Sequence, residues 1–283
     1  MRVLLVPNTE NAEAVLASRS LSEWLDARGW EPVLTEEDAR ACDLAESAVA
    51  RTEIGEPALV VALGGDGTIL KAVHVLGEID APVLGINLGR LGFLSGADRG
   101  SLEDAVGTAL AGEGRVETRA TLRATVTVGD REVGTYRALN EVFVGRGPSG
   151  RVVELAISVN GTRLTRFACD GVVVATATGS TAYALSAGGP IVSPEVRGTV
   201  VVPVASHTLA VRPLVLGPTD IVEISCPNPS RAEACVAVDG EAVPCRRALD
   251  RVEVSPGGRD VRLVKVHGRD FYEVVREKFL GGP

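Results

Sequence analysis

Gly64-Gly65-Asp66-Gly67-Thr68 is the segment whose residue types and spacing best suit chemistry. Three glycines let the backbone approach a bulky anion and turn its N–H groups toward it. The segment follows the apolar run Ala58–Leu63 and precedes a helical pattern carrying Ile69, Leu70, Val73 and Leu76. A phosphate would meet the positive end of a helix there, at the C-terminal end of a buried strand, where open α/β sheets place ligands. The carboxylate of Asp66 does not suit a pure anion cradle, because it repels phosphate. It suits a loop that also handles a hydroxyl proton or a magnesium ion. The plainer alternative is a glycine-rich turn with Asp66 as its cap, since short glycine motifs match easily.

The elements around this loop alternate between strand and helix. Val3–Val6 and Pro82–Ile86 read as further buried strands. A helix from about Asn11 carries Leu21, Trp24 and Leu25 on one face and ends at Gly29, and Leu102–Leu110 reads as a shorter one. Residues 1–117 are thus expected to form an α/β domain. Beyond them the pattern changes to short strands, at Arg123–Val128, Val153–Val159, Gly171–Ala175, Val200–Val204, Ile221–Ser225, Cys235–Val238 and Arg251–Val254. Hairpin signals separate them at Gly129-Asp130, Asn160-Gly161, Asp239-Gly240 and Pro256-Gly257-Gly258. Residues 118–283 are expected to form an all-β domain that ends in a helix over 269–280. That helix is expected to dock back on the first domain, and the active site to lie in the crevice between the domains.

Composition limits what such a chain can do. It has 283 residues and a formal net charge of −8, with no polybasic patch, so neither nucleic acid nor an anionic membrane is an expected partner. Only 4% of its residues are aromatic, which leaves the core to Val, Leu, Ala and Ile. Five cysteines, Cys42, Cys169, Cys226, Cys235 and Cys245, form no CxxC pair and read as reduced thiols. No apolar run approaches a membrane span, and a cytoplasmic location is expected.

The order of several motifs resembles that of the NAD kinase family. Gly64–Thr68 matches the GGDGT signature, which diacylglycerol and sphingosine kinases share. Asn87-Leu88-Gly89-Arg90-Leu91-Gly92-Phe93-Leu94 resembles the family's NxGxLGFL segment, and Asn140-Glu141 its NE pair. Asp170-Gly171, then Thr178-Gly179-Ser180-Thr181-Ala182-Tyr183 and Ser186-Ala187-Gly188-Gly189-Pro190, resemble its DG, TGSTAY and SAGGP segments. Val238-Asp239-Gly240 resembles its late DG turn. Ala177 and Ser206 stand where the family usually has proline, which bears on loop stiffness and removes no polar group.

The resemblance implies transfer of the terminal phosphoryl group of ATP, with polyphosphate as an alternative donor, to the 2′-hydroxyl of the adenosine ribose of NAD. The product is NADP. A divalent cation, Mg²⁺ first, is implied as cofactor, and a homodimer or homotetramer as the assembly. Asp66 is implied as the base toward the 2′-hydroxyl, and Gly64, Gly65, Gly67 and Thr68 as the donor-phosphate loop. Asp66, Gly67, Lys71, Asn140, Glu141, Arg151, Asp170, Thr181, Ala182, Tyr183, Ala184, Leu185 and Ser186 are implied as the NAD site. Without the resemblance, Lys71 reads nearly as well as a solvated lysine, Tyr183 as a core aromatic, and Asn140-Glu141 as an exposed hairpin position. His207 stands evenly between a phosphate neighbour and a structural histidine. Asp239 could ligate metal or substrate, though a DG turn explains it fully. The metal ligands are not identified by the sequence. A lipid kinase and a non-catalytic NADP-binding regulator remain the competing classes; the acidic balance argues against the first and the presence of Asp66 against the second.

Overall fold

The computed structural model describes residues 1–283 except 90–91, 99, 101, 130, 148–149, 207–210, 229–233, 245–248, 267–268 and 282–283. Two compact units divide the chain, one made of Met1–Thr118 with Val261–Pro283 and the other of Arg119–Asp260.

The first unit is built on a mostly parallel sheet. Arg2–Pro7 lies between Glu31–Thr35 and Leu59–Gly64, and Val83–Asn87 pairs in parallel with the far side of Leu59–Gly64. Val3, Leu4, Leu5 and Val6 are fully buried, as strands covered on both faces require. The helix Ala12–Asp26 starts where the Asn11 side chain accepts the Glu13 N–H, and it buries Leu21 and Leu25. The helix Asp66–Leu76 leaves the end of Leu59–Gly64 and stops at Gly77, whose φ of 55° suits a residue without a side chain.

The C-terminal segment falls in this first unit and not with the β-rich one. Val261–Lys265 pairs in parallel with Val83–Asn87. The helix Phe271–Phe279 begins in a capping box between Asp270 and Glu273, and its Phe271 and Phe279 rings pack on Phe93. The expected docking of this helix on the first domain is therefore found. The expected boundary differs, because Pro256-Gly257-Gly258 closes no hairpin: the strand after it joins the first unit's sheet.

The second unit holds two six-stranded sheets with antiparallel pairings. Alternate residues of both supply one core, with Val142, Val144, Val172 and Val174 from one sheet and Leu155, Ile157, Ile224 and Val252 from the other. The outer face of the first sheet carries a smaller cluster, in which Val173, Val200 and Val202 pack on Ala184 of the short helix Tyr183–Ser186. The strand Glu141–Arg146 lies inside this sheet, between Gly171–Thr176 and Ala234–Val238.

Candidate active site

Asp66 is the first residue of its helix, and its carboxylate is held from outside that helix. Oδ2 accepts the Phe93 N–H at 2.8 Å and Oδ1 the Leu94 N–H at 3.1 Å. Gly92 makes the approach possible, since a Cβ there would lie 2.1 Å from Asp66 Oδ1. Each oxygen keeps a lone pair for a further donor or a cation. Gly65, at the N-cap, offers no capping side chain, and with the Thr68 N–H turned to the Gly65 carbonyl at 2.9 Å, the Asp66 and Gly67 N–H groups are left for a ligand. Gly65 and Gly67 have open space where a Cβ would stand, whereas Gly64 is packed against Thr68 and Asn8. The loop thus combines a fixed carboxylate with an open glycine backbone.

Lys71, one turn along, is not a freely solvated lysine. Its ammonium pairs with the buried carboxylate of Asp38 and donates to the Pro7 carbonyl at 3.3 Å. Asp38 follows the helix-capping Thr35, and nothing in its sequence position marks it as the partner.

In the second unit, antiparallel register gathers three motifs at one end of a sheet. Glu141 begins its strand opposite Ala175, and Val142 lies opposite Val238. The segments Val238–Asp239 and Thr176–Tyr183, where two strands end, therefore flank Asn140-Glu141. Asp239 accepts the backbone N–H groups of Leu139 at 2.8 Å, Asn140 at 2.7 Å and Glu141 at 3.0 Å. Thr176 donates its hydroxyl to the Leu139 carbonyl at 2.6 Å and accepts the Gly179 N–H at 3.0 Å. A Cβ on Gly179 would lie 2.1 Å from the Asn140 carbonyl oxygen, so only glycine lets the two segments touch. Ser180, fully buried, accepts the Val192 N–H at 2.9 Å and donates to the Ala177 carbonyl at 2.7 Å.

Glu141 is buried rather than an exposed hairpin residue, at 8% exposure. Burial pushes its carboxyl up to about 7, the nearby Asp239 charge adds to the rise, and a hydrogen bond from the Tyr183 backbone N–H opposes it. Its Oε2 is buried without a hydrogen-bond partner. Such an oxygen suits a ligand that brings hydroxyl donors. Tyr183 is no core aromatic either: it is 40% exposed and meets Phe143 edge-on at 5.6 Å. Ala184 is buried, Thr181, Ala182 and Leu185 are half-buried, and Ser186 is exposed.

Asp170 lies at the opposite end of the same sheet, where Gly145 pairs with Gly171. Its carboxylate pairs with Arg146 at 3.3 Å, a partner with no signal in the sequence. Five residues of strand separate that end from Glu141, roughly 17 Å. Arg151 is exposed. The structure therefore gathers Asn140, Glu141 and Thr181–Ser186, and leaves Asp170 apart from them. His207 lies outside the described residues. Asp239 is accounted for as the residue that shapes the Leu139–Glu141 backbone. Among the described residues no three His, Cys, Asp or Glu side chains cluster as a metal cage. A magnesium ion carried mainly by phosphates needs only one or two protein carboxylates, and Asp66, with a lone pair spare on each oxygen, fits that requirement.

The chain matches the models of the ATP-NAD kinase N-terminal domain over residues 3–113 and the ATP-NAD kinase C-terminal domain over 139–266. It is 36% identical to the NAD kinase of Syntrophotalea carbinolica over 99% of both chains. It is 39% identical to that of Leifsonia xyli subsp. xyli over 98% of this chain and 93% of the relative. The crystal structure of yeast NADH kinase complexed with NADH is similar with a TM-score of 0.85 and 26% identity, over 99% of this chain and 87% of that one. An NAD kinase from Archaeoglobus fulgidus in complex with ATP is similar with a TM-score of 0.71 and 27% identity, over 94% of each chain. No described helix is long and apolar enough to cross a membrane. The glycine loop, the buried Glu141 and relatives matched along nearly their whole length agree on one conclusion: the chain belongs to the ATP-NAD kinase family.

Proposed function

We infer that the chain is an NAD kinase, which moves the γ-phosphoryl group of ATP to the 2′-hydroxyl of the adenosine ribose of NAD. The observation that carries this reading is the loop in which Asp66 is fixed by two backbone N–H groups beside the open glycines Gly65 and Gly67. Asp66 orients the 2′-hydroxyl and takes its proton as the new oxygen–phosphorus bond forms and the bond to the β-phosphate oxygen of ATP breaks. Phosphoryl transfer has a loose transition state, so orientation supplies much of the effect. The N–H groups at the helix start, with Gly64, Gly65, Gly67 and Thr68, hold donor phosphate. Lys71, braced by Asp38, places one positive charge nearby. Glu141 accepts ribose hydroxyls through its unpartnered oxygen, Asn140 offers its amide to the adenine edge, and Tyr183 its ring face. Arg151 and Asp170 contact the dinucleotide away from that group. Asp66 is the carboxylate that would hold a magnesium ion beside the phosphates, and such an ion would supply charge neutralisation to the transferring group.

The reading extends to a homodimer or homotetramer. The edge strand Leu214–Leu216 leaves Leu214 and Val215 exposed at the end of a six-stranded sheet, an edge that calls for cover. Light scattering at the monomer mass of 29.4 kDa would contradict it.

The decisive assay incubates the protein with ATP, Mg²⁺ and NAD and detects NADP with an NADP-specific dehydrogenase. Phosphate incorporated into diacylglycerol, with none in NAD, overturns the reading.

A further inference from the structure

The backbone that holds Asp66 is itself held by the far end of the chain. Phe93–Ser95 contributes to no described strand, and only the two-residue strand Ala97–Asp98 follows it against Val83–Asn87. Its support comes from residues 171 positions later. Lys265, 7% exposed at the end of its strand, donates from Nζ to the carbonyls of Leu94 at 3.0 Å and Ser95 at 2.6 Å. Beside them the Val266 N–H donates to the Gly96 carbonyl at 3.0 Å, and a Cβ on Gly96 would lie 2.0 Å from the Val264 carbonyl oxygen. The Phe93 ring is stacked by Phe279, with centroids 6.0 Å apart and planes 16° apart. It also meets Phe271 at 5.8 Å, and the Lys278 ammonium stands 4.9 Å above it.

We propose that Lys265 and Phe279 are positioning residues for Asp66, acting through the backbone of Phe93 and Leu94. Leu94 sits between two charges: its N–H donates to the Asp66 carboxylate while its C=O accepts from the Lys265 ammonium. Charged hydrogen bonds are shorter and stronger than neutral ones, so the ammonium restrains this residue more firmly than an apolar contact could. A buried ammonium is costly unless such acceptors surround it, which ties its position to theirs. The stacked ring of Phe279 restrains the neighbouring residue, whose N–H holds the other Asp66 oxygen. The C-terminal strand and helix thus set the direction of the carboxylate without touching substrate.

This inference rests on Asp66 acting on the 2′-hydroxyl, so the experiment is a kinetic cycle of Lys265→Met, Phe279→Leu and Asp66→Asn, singly and with each positioning variant combined with Asp66→Asn. Methionine keeps the unbranched stem of lysine and removes its donors. For Lys265→Met, kcat should fall about 10- to 100-fold, the scale of a displaced reacting group, while KM for NAD stays within about threefold. Phe279→Leu, on a half-exposed helix face, should give a smaller loss of the same kind, and it carries the test alone where Lys265→Met does not fold. Combined with Asp66→Asn, neither change should slow the enzyme further, because the group they position has gone. Multiplying losses, or a kcat within twofold of wild type for the folded variants, overturns the proposal while leaving the role of Asp66 standing. Near-normal kcat for Asp66→Asn alone removes that role and the proposal with it.

Discussion

Asp239 and Glu141 hold each other twice: the Asp239 N–H donates to the Glu141 carbonyl at 2.9 Å, and the Asp239 Oδ1 accepts the Glu141 N–H at 3.0 Å. Asp239 does this with a φ of 48°, a left-handed backbone that aspartate tolerates better than most residues. The same carboxylate takes the N–H groups of Leu139 and Asn140, so one side chain fixes the turn that carries Asn140 and Glu141. Asp239→Asn should disturb this turn, because the amide offers one acceptor oxygen and turns an NH₂ toward N–H donors. A hydrogen bond to a charged group contributes about 1.5–3 kcal/mol, so a loss of roughly that size is expected. Thermal denaturation should show a midpoint several degrees lower, and KM for NAD should rise more than kcat falls. Unchanged values of both would assign Asp239 to an ordinary hairpin.

Glu141 gives the molecule a pH dependence of defined sign. Its carboxyl is held up at about 7 against an ordinary 4.5, so between those values the folded protein binds a proton that the unfolded chain has released. The contribution to stability is complete below about 4.5 and is lost as pH rises through about 7, at up to ~1.4 kcal/mol per unit. Glu141→Gln, neutral throughout, should be steady across this window. Its thermal midpoint should gain on wild type from pH 5 to 7 and hold that lead above pH 7. A constant offset between the two proteins from pH 5 to 8 would mean that Glu141 is not the titrating group.

Much of this arrangement was legible in the sequence, and the missing parts share a cause. Buried strands such as Val3–Val6 and Val153–Val159 announce themselves by apolar runs or alternation, and the hairpins at Asn160-Gly161 and Asp239-Gly240 by turn residues. Thr162–Cys169, an edge strand that exposes Thr162, Arg163, Leu164 and Arg166, carries no such signal. Val261–Lys265 carries no signal of its partner, Val83–Asn87 in the first unit's sheet, because that contact lies nearly two hundred residues away in sequence. At the site, the glycine loop stood out by residue type, and Asn140-Glu141 only through the resemblance to the family's NE pair. Asp38, Arg146 and Lys265 did not, because a charged residue declares its partner only when the fold supplies it.

The glycines near Asp66 divide into those the fold needs and those it does not. Gly67 stands in open space on an ordinary helical backbone, so alanine there should keep or slightly raise the thermal midpoint, helix propensity favouring it by about 1 kcal/mol. Its cost should fall on ligand approach, as a raised KM for ATP or NAD. Gly92→Ala would instead drive a methyl group into the Asp66 carboxylate, and kcat should drop with little change in either KM. Paired measurements of midpoint and kinetics on the two variants check this. A Gly67→Ala protein with wild-type kinetics would remove that glycine from the phosphate loop.

Asp66 itself is tested by Asp66→Asn, and the two N–H donors on its carboxylate sharpen the expected result. Asparagine keeps the size and one acceptor oxygen but loses the charge, and it can satisfy only one of the Phe93 and Leu94 N–H groups. General-base catalysis contributes about 10²–10⁴-fold, and the loss of kcat should fall in that range. The broken hydrogen bond should lower the thermal midpoint modestly, since leaving one donor unpaired costs about 1–3 kcal/mol. The dissociation constant for NAD should change little, because Asn140, Glu141 and Tyr183, proposed above as contacts to NAD, are left as they are. A variant with near-normal kcat and a lowered midpoint would make Asp66 a structural cap of the Gly92–Leu94 backbone, and the base would have to be sought elsewhere. A large loss of kcat with NAD affinity and fold retained places the proton transfer or its alignment on Asp66, since a cap alone gives no reason for the rate to fall further than the binding.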